Sequence, residues 1–196
     1  MKGVYGEEAA EKASAAVTLT AIEKLKQLAV QAKLDHALNW IADFLDSDEK
    51  LVVFAVHKFV IDAIMERFKN VAVKLDGSVS GTDRQLVVDK FQDDAKTRLF
   101  VGNIKAAGIG ITLTAASNVA FLEFPWTPGD LSQGEDRCHR IGQKFTVNVY
   151  YLLAQNTIEE TIALLLDEKR KVLDKVLDGI DTDEGSLLTE LIANYK

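Results

Sequence analysis

Cysteine occurs once among the 196 residues, at Cys138, which excludes an intramolecular disulfide and suits a reducing compartment. With only three histidines, widely separated, beside that single thiol, a structural zinc site has too few ligands. No apolar run reaches the roughly 18 to 20 residues of a membrane span, and the opening Met1-Lys2-Gly3-Val4-Tyr5-Gly6-Glu7-Glu8 has no apolar h-region. The expected location is cytoplasmic, with no membrane partner. Basic charge is also short, the net charge being −7. Residues 1 to 50 carry 6 Lys/Arg against 9 Asp/Glu, residues 51 to 158 carry 12 against 11, and residues 159 to 196 carry 5 against 10. The acid sits in the flanks. A near-neutral centre permits a local phosphate-binding surface but not a strongly basic clamp, so any DNA affinity of this chain alone should be weak.

Hydrophobic content of 47% with 27% charged residues is that of a globular protein with a sizeable core. The short apolar run Leu51 to Ala55, rich in β-branched residues, predicts a strand buried on both faces. Further strands are predicted at Val71 to Leu75, Arg98 to Val101, Asn118 to Phe124 and Phe145 to Ala154, with helices at about Lys58 to Phe68 and from a Thr82 or Asp83 cap to about Phe91. Alternating strands and helices predict an α/β fold, a mostly parallel sheet with helices on both faces. Residues 1 to 16 read as a loose helical lead-in, and the mixed apolar spacing from Thr18 to Leu45 suggests two abutting helices. Ile158, Ile162, Leu165 and Leu166 stripe a long helix from Thr157 to about Leu177, stopped by Gly179, with a last short helix at Leu187 to Ile192. The expected organisation is a helical lead-in at 1–46, the α/β lobe at 47–156 and a C-terminal helix and tail at 157–196.

The densest polar pattern lies in Gln133-Gly-Glu-Asp-Arg137-Cys-His139-Arg140-Ile-Gly-Gln143. Gln133, Arg137 and Arg140 stand at i, i+4 and i+7, one face of a helix. Two neighbouring guanidiniums repel unless an anion lies against them, and Arg is the side chain best suited to phosphate oxygens. The plainer reading leaves them solvated or paired with Glu135 and Asp136. Just past a strand end, Gly77 and Ser78 can offer backbone N–H groups and a hydroxyl to a phosphate, although Asp-Gly-Ser is also an ordinary turn. Lys105 with the N–H groups of Ala106 to Gly108, at a helix N-terminus, could do the same. Gly108-x-Gly110 is not a dinucleotide fingerprint, because position 113 is Leu and no third glycine follows. His57, after a strand end, is read either as a DNA contact or as structural. His139 is read as a packing or hydrogen-bonding residue, and Trp126 as an anchor for the loop before Gln133.

Taken together these blocks are similar to the Swi/Snf family of DNA-translocating ATPases in helicase superfamily two. The Gln133 to Gln143 string resembles its arginine-finger motif VI, Ile104 to Ala116 its motif V, and Asp76-Gly77-Ser78 the loop after its second strand. Leu51 to Ala55 with His57 and Lys58 stands where motif IV belongs. Trp126-Thr-Pro128-Gly129 ahead of Gln133 resembles the annealing-helicase branch, whereas Ala107 departs from the usual Ala-Gly-Gly triplet. The resemblance implies a RecA-like C-terminal lobe entered by a helical protrusion and left by a brace helix. It implies that Arg137 and Arg140, with Gln133, serve catalysis, and that Gly108 and Gly110 join the two arginines at the nucleotide. His57, Gly77, Ser78, Lys105, Ala106 and Gly108 are implied to contact the backbone of double-stranded DNA. A bacterial version would be nucleoid-associated.

A motor of this kind also needs Gly-x-x-x-x-Gly-Lys-Ser/Thr for the phosphates and Asp-Glu-x-His for Mg²⁺. No Gly-Lys dipeptide occurs, and the Asp-Glu pairs at 48, 167 and 183 have the wrong followers. ATP and Mg²⁺ would be held mainly by an N-terminal RecA-like lobe of the same protein, and this chain alone is expected to be inactive. Two rivals stand beside this reading: a non-catalytic DNA- or protein-binding module, and a flavodoxin-like domain with a small cofactor at its switch point.

Overall fold

The computed structural model describes residues 2–105 and 110–177. Five strands, β1 (Leu51–Ala55), β2 (Ala72–Leu75), β3 (Leu99–Asn103), β4 (Asn118–Phe121) and β5 (Asn148–Tyr151), form one sheet in the order β2-β3-β1-β4-β5. Every neighbouring pair is parallel, with Leu51 opposite both Leu99 and Asn118. The helices are α1 (Lys2–Leu45), α2 (Lys58–Phe68), α3 (Gly81–Asp93), α4 (Pro128–Glu135) and α5 (Ile158–Leu177). The expected short helix at 187–192 and the stop at Gly179 lie outside the described residues.

Successive side chains of a strand face opposite ways, and β1 shows the result. Val52 and Phe54 join Phe91 of α3, Leu131 of α4 and Ile162 and Leu166 of α5 in one core. Leu51, Val53 and Ala55 join Ile61 and Ile64 of α2 and Ile41 of α1 in the other. All five residues of β1 are buried, as its unbroken apolar run requires of a central strand.

The segment expected to hold two abutting helices is one helix. Its buried side runs through Ile22, Lys26, Ala29, Val30, Lys33, Ala37, Leu38, Ile41 and Leu45, which is continuous helical spacing, whereas Leu25 and Leu28 are exposed. Two lysines occupy that stripe, so a reading of apolar positions alone saw it broken. Lys33 Nζ meets the Glu159 carboxylate of α5 at 2.6 Å and donates to the Leu152 carbonyl at 2.5 Å. Lys26 donates to the Phe124 carbonyl at 3.2 Å and lies over the Trp126 ring. Burial lowers the pKa of both amines, against the upward pull of nearby carboxylates. The cap of α3 is Ser80, two residues ahead of Thr82 and three ahead of Asp83, its hydroxyl accepting from the Asp83 amide.

Candidate functional site

Loops after the carboxyl ends of β1, β2 and β3 gather on one edge of the sheet. Val56, Lys58, Asp76, Gly77, Ser78 and Asn103 line a shared hollow there. Asp76 organises the Gly77-Ser78 turn: its Oδ1 accepts from the Ser78 amide at 2.9 Å and from the Ser78 hydroxyl at 2.5 Å. Those Ser78 bonds hold the Asp76 carboxyl below its ordinary pKa, burial opposing and Lys74 assisting. Both Ser78 donors expected to face a phosphate also bond Asp76, although Ser78 is itself exposed, and Gly77 is exposed with open space where a Cβ would stand. Asn103 ties the edge together, donating to the Val56 carbonyl at 2.8 Å and accepting from the Lys105 amide at 3.1 Å. Lys105 is exposed on the turn after β3. The helix N-terminus expected at Ala106 to Gly108 lies outside the described residues.

His57 is tied down. Glu123, almost fully buried, accepts from the amides of Val56 and His57 at 2.8 Å each, and its other oxygen meets His57 Nδ1. This carboxylate bridges the loops after β1 and β4, the crevice where an open α/β sheet ordinarily takes a ligand. That place is taken by the protein's own anion.

The arginine-bearing segment departs from the expected single helical face. Helix α4 ends at Glu135, and Arg137 and Arg140 follow on tight turns, the Cys138 amide reaching the Glu135 carbonyl at 3.1 Å. The chain tightens here, the Arg137 amide turning to the Gly134 carbonyl at 3.3 Å and the Cys138 amide to that of Glu135, three residues back instead of four. The Arg137 carbonyl accepts from the Leu113 amide at 2.8 Å, and the Cys138 carbonyl accepts from Gln143 Nε2 at 3.2 Å. Gln133, alone of the three, stays on α4 and is exposed.

Both arginines nevertheless reach one strip of chain. Arg137, only 4% exposed, points Nη1 at the Ile111 carbonyl at 3.5 Å, and Arg140, exposed, donates to the Thr112 hydroxyl at 3.3 Å. Burial, and then the neighbouring Arg140, lower the pKa of Arg137, with Asp136 opposing. Gly110 begins this strip at φ +74, a left-handed conformation that suits glycine. Gln143, unremarked in the sequence, fastens the strip: Nε2 donates to the carbonyls of Thr114 (3.3 Å) and Ala116 (2.8 Å), while Oε1 accepts from the amides of Lys144 and Phe145.

Glu135 does not pair with either arginine of the turn. Its carboxylate takes two bonds from Arg170 of α5, at 3.1 and 2.5 Å, and one from the Tyr151 hydroxyl at 2.5 Å. His139 is exposed rather than packed. The Cys138 thiol is fully buried, and burial pushes its pKa up to about 12, which removes it as a nucleophile. Trp126 does anchor its loop, donating from Nε1 to Glu23 at 2.8 Å. Among the described residues no group of three or more His, Cys, Asp or Glu could hold a metal ion, and no helix is long and apolar enough to cross a membrane.

Residues 32–142 match the helicase conserved C-terminal domain family. The SWI/SNF-related matrix-associated actin-dependent regulator of chromatin subfamily A-like protein 1 of Xenopus tropicalis is 44% identical over 147 residues, covering 73% of this chain and 16% of that protein. The human DNA annealing helicase and endonuclease ZRANB3 is 40% identical over 168 residues, covering 82% of this chain and again 16% of the relative. The chain thus spans about a sixth of the length of the curated relatives it matches. Among solved structures, the C-terminal part of the Fun30 ATPase domain superposes with a TM-score of 0.62 at 34% identity, over 68% of this chain and 44% of that one. The Sulfolobus solfataricus SWI2/SNF2 ATPase core in complex with dsDNA gives 0.66 at 27% identity, over 85% and 38%. With its five-stranded parallel sheet, the chain belongs to the helicase conserved C-terminal domain family, as a RecA-like C-terminal lobe of the SWI/SNF type.

Proposed function

We propose that this chain is the second motor lobe of an ATP-dependent double-stranded DNA translocase and supplies half of its ATPase site. The observation that carries the reading is the seating of Arg137 and Arg140 on the same strip, Ile111 to Thr112, beside the left-handed Gly110. Two guanidiniums held near one another repel, and a polyanion between the lobes relieves that repulsion while gaining charge-assisted hydrogen bonds. Arg137 and Arg140 approach the γ-phosphate of ATP from across the cleft, with Gln133, Gly108 and Gly110 at the same edge. ATP supplies the transferable phosphoryl group. Mg²⁺ is assigned to the first lobe, which would carry the Asp-Glu-x-His block that this sequence lacks.

At the strand ends, Gly77, Ser78, Lys105, Ala106 and Gly108, with His57 behind them, grip the phosphates of one strand of the duplex. The relative solved with dsDNA supports a duplex as the track. Backbone contacts of this type position a protein without reading sequence. Alternating grip by the two lobes converts hydrolysis into steps along DNA, and strand separation is no part of this scheme. Helix α1 serves as the protrusion, residues 47–156 as the lobe, and α5 as the brace.

The test is reconstitution. Residues 1–196 alone are expected to hydrolyse no ATP, and joining a SWI/SNF-type first lobe in cis should create DNA-stimulated turnover. Turnover by the isolated chain that survives rigorous purification contradicts the proposal.

A further inference from the structure

We infer that Arg170, on the C-terminal helix, is a positioning residue for the turn that carries Arg137 and acts through Glu135. Glu135 is the last residue of α4, and it works at both ends. Its backbone carbonyl accepts from the amides of Cys138 at 3.1 Å and His139 at 3.3 Å, closing the turn in which Arg137 lies. Its side chain is held by the Arg170 guanidinium through two bonds, at 3.1 and 2.5 Å, and by the Tyr151 hydroxyl at 2.5 Å.

Each partner of Glu135 is itself fixed to the core. The Tyr151 ring stacks on Phe121 and Phe124, with centroids 5.6 Å from each. Arg170 lies one helical turn beyond Leu166, which is buried against the sheet together with Ile162. On the other side of the turn, the Arg137 carbonyl is bound to Leu113. The turn is therefore gripped from two directions, by the strip before β4 and by α5.

The Arg170 side chain is 38% exposed and that of Glu135 is 13% exposed, so the pair is half-covered, and its two-bond geometry is the kind that does contribute. What a two-bond guanidinium–carboxylate contact adds besides energy is direction. A carboxylate fixed in both distance and angle fixes the residue that bears it, and with it the next two residues of the chain. Displacing α5 releases the turn, so the C-terminal helix governs whether Arg137 is aimed. For its consequence in turnover, this inference rests on the function proposed above.

Two measurements test it. In the 196-residue chain, amide hydrogen exchange at Cys138, His139 and Leu113 should quicken about tenfold in Arg170→Ala and in Glu135→Gln. Lys171→Ala, which removes the exposed Lys171–Asp167 pair at 2.6 Å on the same helix, should leave those amides unchanged. In the two-lobe enzyme, Arg170→Ala and Glu135→Gln should each lower kcat by roughly ten- to a hundredfold, the scale of a misplaced catalytic group. KM for DNA should stay unchanged, and the double variant should be no worse than either single one. Unchanged exchange at the turn, equal effects from Lys171→Ala, or additive losses in kcat overturn the inference. Arg137→Ala runs beside them: if it leaves kcat intact, the proposed function fails while the exchange result still decides the role of Arg170.

Discussion

The amide of Leu113 donates to the carbonyl of Arg137 at 2.8 Å, so the loop before β4 and the turn after α4 are hydrogen-bonded as if they were one element. Beside that bond the Arg137 guanidinium points at the Ile111 carbonyl and Arg140 lies against the Thr112 hydroxyl. Disturbing either segment moves the other.

In the reconstituted enzyme, Arg137→Ala or Arg140→Ala should lower kcat by something like 10³-fold or more, the scale of an arginine finger. DNA affinity without nucleotide should hardly change. Single-turnover hydrolysis alongside filter binding separates the two quantities, and a loss confined to DNA binding refutes the assigned role.

Lys105→Ala should weaken duplex affinity alike for all sequences and reduce the salt slope by about one unit, as one lost phosphate contact does. Ser78→Ala should act more weakly in the same direction, since both Ser78 donors already serve Asp76. Titrations at several salt concentrations on two unrelated duplexes measure this; a sequence-dependent loss would indicate base readout instead.

Truncation after Asn156 should destabilise the lobe itself. Ile158, Ile162, Leu165 and Leu166 are all buried, and each large apolar side chain is worth roughly 1.5 to 3 kcal/mol when fully buried. The same cut strips Lys33 of its Glu159 partner in a dry setting. A thermal melt of the truncated chain should show a clear drop, and an unchanged Tm would contradict the packing described.

Gly134→Ala should be harmful, because Gly134 is buried on α4. An added Cβ would come 3.0 Å from two carbons of the Phe121 ring and 3.3 Å from Phe54. Those rings are stacked on one another at the centre of the sheet and have no room to yield. Overpacking of this kind costs about 1–3 kcal/mol, to be read from denaturant unfolding.

The strands were legible because most are short and apolar between polar segments, and β5 alternates; Leu51 to Ala55 lies where its composition places it. Their order was not, since nothing in Val119 or Val149 says which neighbour it meets. Helix α1 was misjudged for a chemical reason: Lys26 and Lys33 occupy core positions, and their fitness for them depends on Glu159 and the Phe124 and Leu152 carbonyls, all about a hundred residues away or more. Arg137 and Arg140 announced themselves through their string of neighbours. The curl of the turn beneath them did not. Glu123, Gln143 and Arg170 read as ordinary polar residues, and only the folded chain shows what each holds.

The contact between Lys33 and Glu159 has one more consequence. A pair of opposite charges sunk between two helices is a poor adhesive, because the lost hydration nearly offsets the attraction, but it is a strict gauge. Sliding α5 along α1 by a full turn, about 5.4 Å, would part the two charges and leave both where little water reaches, the kind of broken pair that costs about 3–5 kcal/mol. Greasy surfaces tolerate such slippage by trading one methyl contact for another. The two helices that bracket the sheet in the chain are therefore indexed to each other like a key in its notch.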